Sequence, residues 1–123
     1  MKSVIIEQTG GPEVLQYVDR PAADPQAGEV RVKLTAIGIN LIDTYHRSGL
    51  YPVPLPTGLG CEGAGVVESL GDGVDDLAVG QRVGFCMAMG AYAEEITLPA
   101  AALAKLPDGI SNQQAAAVML KGM

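Results

Sequence analysis

Glycine and proline recur so often along this chain that no long helix can run through most of it. There are 16 glycines and 8 prolines in 123 residues, and clusters of these residues are where a backbone turns. Between them lie short runs with the period of two that marks a strand wetted on one face. The clearest is Val30-Arg31-Val32-Lys33-Leu34, which alternates apolar with charged side chains. Hydrophobic residues make up 48% of the chain, enough for a packed core and too many for a disordered low-complexity segment. A chain of this length holds one domain around one core. The expected class is mainly β with short helices.

Val4-Ile5-Ile6, closed by Gly10-Gly11-Pro12 and followed by Leu15-Gln16-Tyr17-Val18, reads as a hairpin. Behind the N-cap candidate Asn40, Leu41, Ile42 and Tyr45 recur at helical spacing, predicting a short helix over 41–47 that Ser48-Gly49 ends. Tyr51-Pro52-Val53-Pro54-Leu55-Pro56 forbids a helix and predicts an extended loop able to wall a cleft. Further strands are predicted over 63–70, 81–85, 91–98 and 104–106. Ser111-x-x-Gln114 has capping-box spacing, so a helix begins there. Its run from Ala115 to Leu120 is apolar almost all round. Such a face is expected to be covered from outside this domain and to be sticky when left bare, and its stop at Met123 suggests a truncated chain.

Eight basic against 14 acidic side chains give a net charge of −6, which repels phosphate, so nucleic acid and anionic membranes are disfavoured as partners. Two cysteines build no disulfide framework, and no signal-like or membrane-spanning apolar run is present, so a cytoplasmic location is expected. Gly60-x-x-Gly63-x-Gly65 superficially resembles a phosphate cradle, but Gly65-Val66-Val67 reads as strand, and close packing in a curved sheet is the better reading. Asp43, His46, Cys61, Glu62 and Cys86 lack paired metal-ligand spacing. His46 is expected to lie half exposed, in a surface or loop-packing role. Cys61 is read as a small buried residue rather than a nucleophile, because no sequence neighbour would lower its pKa. Tyr45 and Tyr51 either donate phenol hydrogen bonds into a cleft or pack against the sheet.

Gly10-Gly11-Pro12-Glu13-Val14-Leu15 and the segment from Ala36-Ile37-Gly38-Ile39-Asn40 through Tyr51-Pro52 are followed in order by Gly60-Cys61-Glu62-Gly63-Ala64-Gly65-Val66-Val67, Val79-Gly80-Gln81-Arg82-Val83, Gly90-Ala91-Tyr92-Ala93-Glu94 and Ala115 to Gly122. This succession resembles the zeta-crystallin-like quinone oxidoreductases of the medium-chain dehydrogenase/reductase superfamily, across essentially the whole chain. The resemblance implies a GroES-like partly open β-barrel over 1–110, with 111–123 starting the helix that leads to an NADPH-binding Rossmann domain absent from this sequence. It implies a homodimeric intact enzyme that passes hydride from NADPH to a quinone or conjugated carbonyl, and an inactive isolated fragment. Zinc alcohol dehydrogenases of the superfamily carry Cys where Asn40 stands and Gly-His-Glu where Gly60-Cys61-Glu62 stands, and four clustered structural-zinc cysteines where only Cys86 lies here. The implied enzyme is therefore zinc-free, with no metal ligands. By the same resemblance Asn40, Tyr45 and Tyr51 are the catalytic candidates, and Asn40, Leu41, Ile42, Asp43, Thr44, Tyr45 and Lys121 approach the cofactor. Positioned amide and phenol donors can polarise an acceptor oxygen without metal. A 2-alkenal (enone) reductase and a non-enzymatic structural or regulatory binding protein of the same fold stay open, whereas a chaperonin-cofactor-like module leaves the Tyr45–Tyr51 motif without a purpose.

Overall fold

The computed structural model describes residues 1–119. Strand β1 (Lys2–Ile6) pairs antiparallel with β2 (Gln16–Asp19) in the predicted hairpin, whose connection holds a 3₁₀ turn at Pro12–Val14. The long strand β3 (Glu29–Gly38) is the spine of a second sheet and leads directly into helix α1 (Leu41–Ser48). Two-residue β4 (Thr57–Gly58) returns to β1, completing a three-stranded sheet in the order β2-β1-β4. Strands β5 (Glu62–Leu70), β6 (Arg82–Cys86), β7 (Glu95–Pro99) and β8 (Ala104–Lys105) add to β3 in the order β7-β3-β5-β6-β8. An isolated bridge between Ser3 and Ala93 links the two sheets, which do not close on each other. The mainly β, partly open architecture is thus the expected one.

Alternation sorts each strand's residues between two sides. Val30 and Val32 of β3, Val67 of β5, Val83 and Phe85 of β6, and Ile96 and Leu98 of β7 form the main core. Ala64 instead meets Ala115 and Ala116 of helix α2 (Asn112–Val118). A register irregularity between Leu34 and Ala36 turns β3, so that Leu34 packs on the main core and Ala36 under α2. A smaller core of Ile6, Val14 and Leu59, with Met89 and Tyr92 against it, fills the space beneath the first sheet. On the wet side Arg31 ties β3 to its neighbours, its Nε lying 2.9 Å from Glu68 and 3.3 Å from Glu95.

Two expectations need correction. Residues 91–98 are not one strand: the ladder with β3 runs over Glu95–Pro99, with the Glu94 carbonyl still accepting from Leu34, while the residues before it bond mainly to β1 and Leu59. The Tyr92 N–H donates to the Leu59 carbonyl, Tyr92 O accepts from Val4, and the Glu94 N–H reaches Lys2 O. The second correction concerns α2, capped by Ser111 and Gln114 as predicted. Its apolar face does find cover in this domain, since Ala115 and Ala116 are buried against the sheet. Glycine makes this possible: a Cβ on Gly38 would overlap the Ala116 carbonyl oxygen, and one on Gly84 would stand 2.7 Å from Met119 Sδ. Asn112 Oδ1 accepts from Arg82 Nε at 3.0 Å, and its Nδ2 donates to Thr35 Oγ1 at 2.6 Å. Ala117 and Val118 remain exposed, and Leu120 lies outside the described residues.

Candidate active site

The N-terminus of α1 follows directly from the end of β3. Asn40 stands at the N-cap in extended conformation, as its residue type predicts. The Asp43 N–H donates to the Asn40 carbonyl at 3.0 Å, and the Asp43 carboxylate accepts the Asn40 N–H at 3.1 Å. The Asn40 side chain turns across to the neighbouring strand, where Nδ2 donates to Glu62 Oε1 at 2.9 Å. Pairing between Gly38 and Glu62 at the end of the β3–β5 ladder fixes that span. Glu62 is 1% exposed, so the bond is shielded from competing water. A cleft of about 470 Å³ opens beside it, lined by Gly38, Ile39, Glu62 and residues of α2.

Gly49, in left-handed conformation, ends α1 and turns the chain back. The Tyr51 N–H then donates to the Tyr45 carbonyl at 3.2 Å. This return brings the two predicted tyrosines together edge to face, with ring centroids 5.2 Å apart, within the favourable range for aromatic pairs. Tyr51 is 49% exposed. Leu41 lies four residues before Tyr45 on the same helix face and is 71% exposed. Thr44 donates to the Leu41 carbonyl, while Ile42, Thr44 and Tyr45 are partly buried. The Asp43 carboxylate faces inward, at 4% exposure. Lys121 lies outside the described residues.

His46 departs from expectation: it is buried, with Nδ1 3.9 Å from Cys61 Sγ and its ring 6.4 Å from that of Tyr51. The loop carrying Cys61 covers this side of the helix, which spacing within α1 does not reveal. Cys61 therefore has a histidine neighbour in space, yet burial and the Asp43 charge push its thiol up to about 11. It stays protonated and inert, as its reading as a packing residue requires.

Sequence reasoning passed over Tyr92, whose hydroxyl donates to Asp43 Oδ2 from 49 residues away. Burial first, then the Asp43 hydrogen bond and charge, hold this phenol far above its ordinary value. Cys61 and Tyr92 thus both keep their protons to higher pH in the fold than in the unfolded chain. The Cys61 contribution is full below the ordinary thiol value of 9.0 and is lost as pH climbs from there toward about 11, whereas that of Tyr92 begins to fall only above the ordinary phenol value of 10.0 and persists to higher pH. Urea titrations should show unfolding free energy level near neutrality and falling over that interval, with Cys61→Ala reducing the slope. An unchanged slope would show that Cys61 does not carry it.

The zinc chemistry known for this superfamily does not fit these donors. Zinc is held by thiolate, imidazole or carboxylate ligands, whereas Asn40 offers an amide whose Nδ2 already donates to Glu62. Among the described residues no group of three or more His, Cys, Asp or Glu could hold a metal ion.

The fold around this site is an open, mainly β domain with short helices. The alcohol dehydrogenase GroES-like domain matches residues 26–108, more than half of the chain, and the chain belongs to that family. It is 57% identical to a quinone oxidoreductase of Pseudomonas aeruginosa over 93% of this chain and 36% of that relative. It is 41% identical to the 2-haloacrylate reductase of a Burkholderia species over 98% of this chain and 38% of that protein. The crystal structure of Escherichia coli quinone oxidoreductase complexed with NADPH matches with a TM-score of 0.96 at 49% identity, covering 99% of this chain and 38% of that one. The chain therefore spans little more than a third of the length of each.

Proposed function

We propose that this chain is the catalytic domain of a longer, zinc-free, NADPH-dependent reductase that passes hydride to a quinone. The observation carrying this reading is the Tyr45–Tyr51 pair at the C-terminal end of α1, two phenols of which Tyr45 is partly buried and Tyr51 half exposed. A flat conjugated carbonyl needs both an apolar surface to stack against and a donor for the oxygen that gains charge. Names and NADPH content of the relatives support the same reading.

NADPH, when bound, supplies the hydride. The segment 40–45 suits its nicotinamide end: Leu41, Thr44 and Tyr45 present a partly exposed edge, and the inward Asn40 and Asp43 contacts make that edge rigid. Asp43 serves by holding the backbone, and Lys121 is assigned to the cofactor by family resemblance alone. Residues 1–110 form the catalytic domain in this reading and 111–123 start the connection to the nucleotide-binding part. A cytoplasmic homodimer is proposed for the whole protein, and among the described residues no helix is long and apolar enough to cross a membrane. The 2-haloacrylate reductase similarity favours one second reading, a conjugated enone or acrylate in place of the quinone.

The test is NADPH oxidation by the full-length protein against a panel of quinones, enones and haloacrylates. Quinones should give the highest kcat/KM, and no oxidation with any of them would overturn the proposal. Tyr51→Phe should lower kcat/KM about tenfold, the effect of losing one net hydrogen bond of ~1.4 kcal/mol. Unchanged kinetics would make Tyr51 a packing residue.

A further inference from the structure

We infer that Tyr92 is a positioning residue for this reaction: through the Asp43 carboxylate its hydroxyl fixes the start of α1, from which the segment 40–45 proposed to meet the nicotinamide runs. The inference rests on the reductase reading above and adds a residue to it that lies outside the segment 40–51.

Asp43 Oδ2 is the junction. It accepts both the Asn40 N–H and the Tyr92 hydroxyl, whereas Oδ1 is buried with no hydrogen-bond partner among the described residues. A buried carboxylate keeps its charge and orientation only through the donors that reach it. Removing the Tyr92 hydroxyl leaves the Asn40 N–H as the one remaining donor among these contacts, and the carboxylate is then free to turn away from it. The Asn40 side chain is tethered separately, by Nδ2 to Glu62. Tyr92 thus governs the backbone of Asn40 and Glu62 its amide.

Tyr92 is itself built in rigidly. Its N–H bonds the Leu59 carbonyl at 2.9 Å and its carbonyl accepts from Val4 at 2.8 Å. Its ring lies over Gly60, where a Cβ would stand 2.5 Å from Tyr92 Cδ1 and where φ is +90°. Glycine at 60 therefore answers two needs, the left-handed turn and room for the ring. Because burial and Asp43 hold the phenol protonated, it is a permanent donor to the carboxylate rather than an acid spent in the reaction. Its hydroxyl is committed to Asp43, so it acts through another residue.

The test uses the full-length protein with NADPH and a quinone. Tyr92→Phe keeps the ring on Gly60 and removes only the hydroxyl. It should lower kcat about tenfold while the quinone KM stays within about twofold, the pattern of a misplaced reacting group. NADPH deuterated at the transferred position should show a larger isotope effect in the variant, as hydride transfer becomes slower. In an Asp43→Ala background the same change should cost less than about twofold, because the partner is gone. Asn40 amide hydrogen exchange should quicken while Val32 and Val67 stay protected. Should Tyr92→Phe fail to fold, Asp43→Asn against Asp43→Ala decides: Asn keeps an acceptor for the Asn40 N–H and should retain about fivefold more kcat. Equal kcat for those two, additive losses in the double variant, or an unaltered kcat in a folded Tyr92→Phe overturns the inference and leaves the reductase reading standing. No quinone reduction by the unsubstituted protein overturns both.

Discussion

Phe85→Ala is expected to destabilise the protein by about 3–5 kcal/mol, the range for emptying a buried aromatic site. Phe85 is fully buried at the centre of the main core, between Val83 and the opposing strands. Its ring already lies against Gly63, where a Cβ would be 3.2 Å from Cζ. Backbone on that side cannot collapse into the vacated space, so the upper half of the range applies. Urea unfolding monitored by far-UV circular dichroism measures the loss directly. A change below about 1.5 kcal/mol would show that Leu77 and Ile96 repack into the gap. Because Cys86 pairs with Glu62 in the next register position, the surviving folded fraction should also show a loosened Asn40–Glu62 contact.

Gly65→Ala should act on the sheet itself. Gly65 faces Leu34 in the β3–β5 ladder, and a Cβ there would overlap the Lys33 carbonyl oxygen, with Lys33 C and Leu34 Cα at 2.8 and 2.9 Å. These are backbone atoms, which cannot swing aside as a side chain does, so a cost of about 2–3 kcal/mol is expected. The strands must separate where they also carry Gly38 and Glu62 into register. Activity should therefore fall further than stability alone predicts. An unaltered thermal midpoint would show that the ladder gives way locally without loss.

Local signals made the strands and the first helix legible from sequence. Alternation in Val30 to Leu34 placed β3 and its buried face, and Asn40 before Leu41 marked the start of α1 within a residue. The neighbourhood of Tyr45 and Tyr51 was likewise readable, since only a glycine turn separates them. Partners across the sheet were not. Tyr92 meets Asp43 over 49 positions and Glu62 meets Asn40 over 22, and periodicity tells which face a residue occupies but not what stands opposite. His46 shows the same limit, because its burial is decided by the loop around Cys61 rather than by its place on α1. With α2, apolar counting misled: Ala115 and Ala116 find cover through the close approach that Gly38 and Gly84 permit, a matter of fit rather than hydrophobicity.

The order of pairing along β3 governs when this domain can form. Its first half bonds to β7 and nearly all of it to β5, so Glu29 waits for Pro99 and Gly38 for Glu62. Long loops must close before such pairings return any stability, which slows folding relative to helical domains of similar size. During synthesis, at roughly 5–20 residues per second, the tip of β3 and its helix can dock on β5 first. The Ser3–Ala93 bridge and the Tyr92 hydroxyl arrive only some thirty residues later, on the order of seconds at that pace. Until then β3 presents an unpaired apolar edge to the nascent chain's surroundings, the interval in which chaperone capture or misassociation competes with folding.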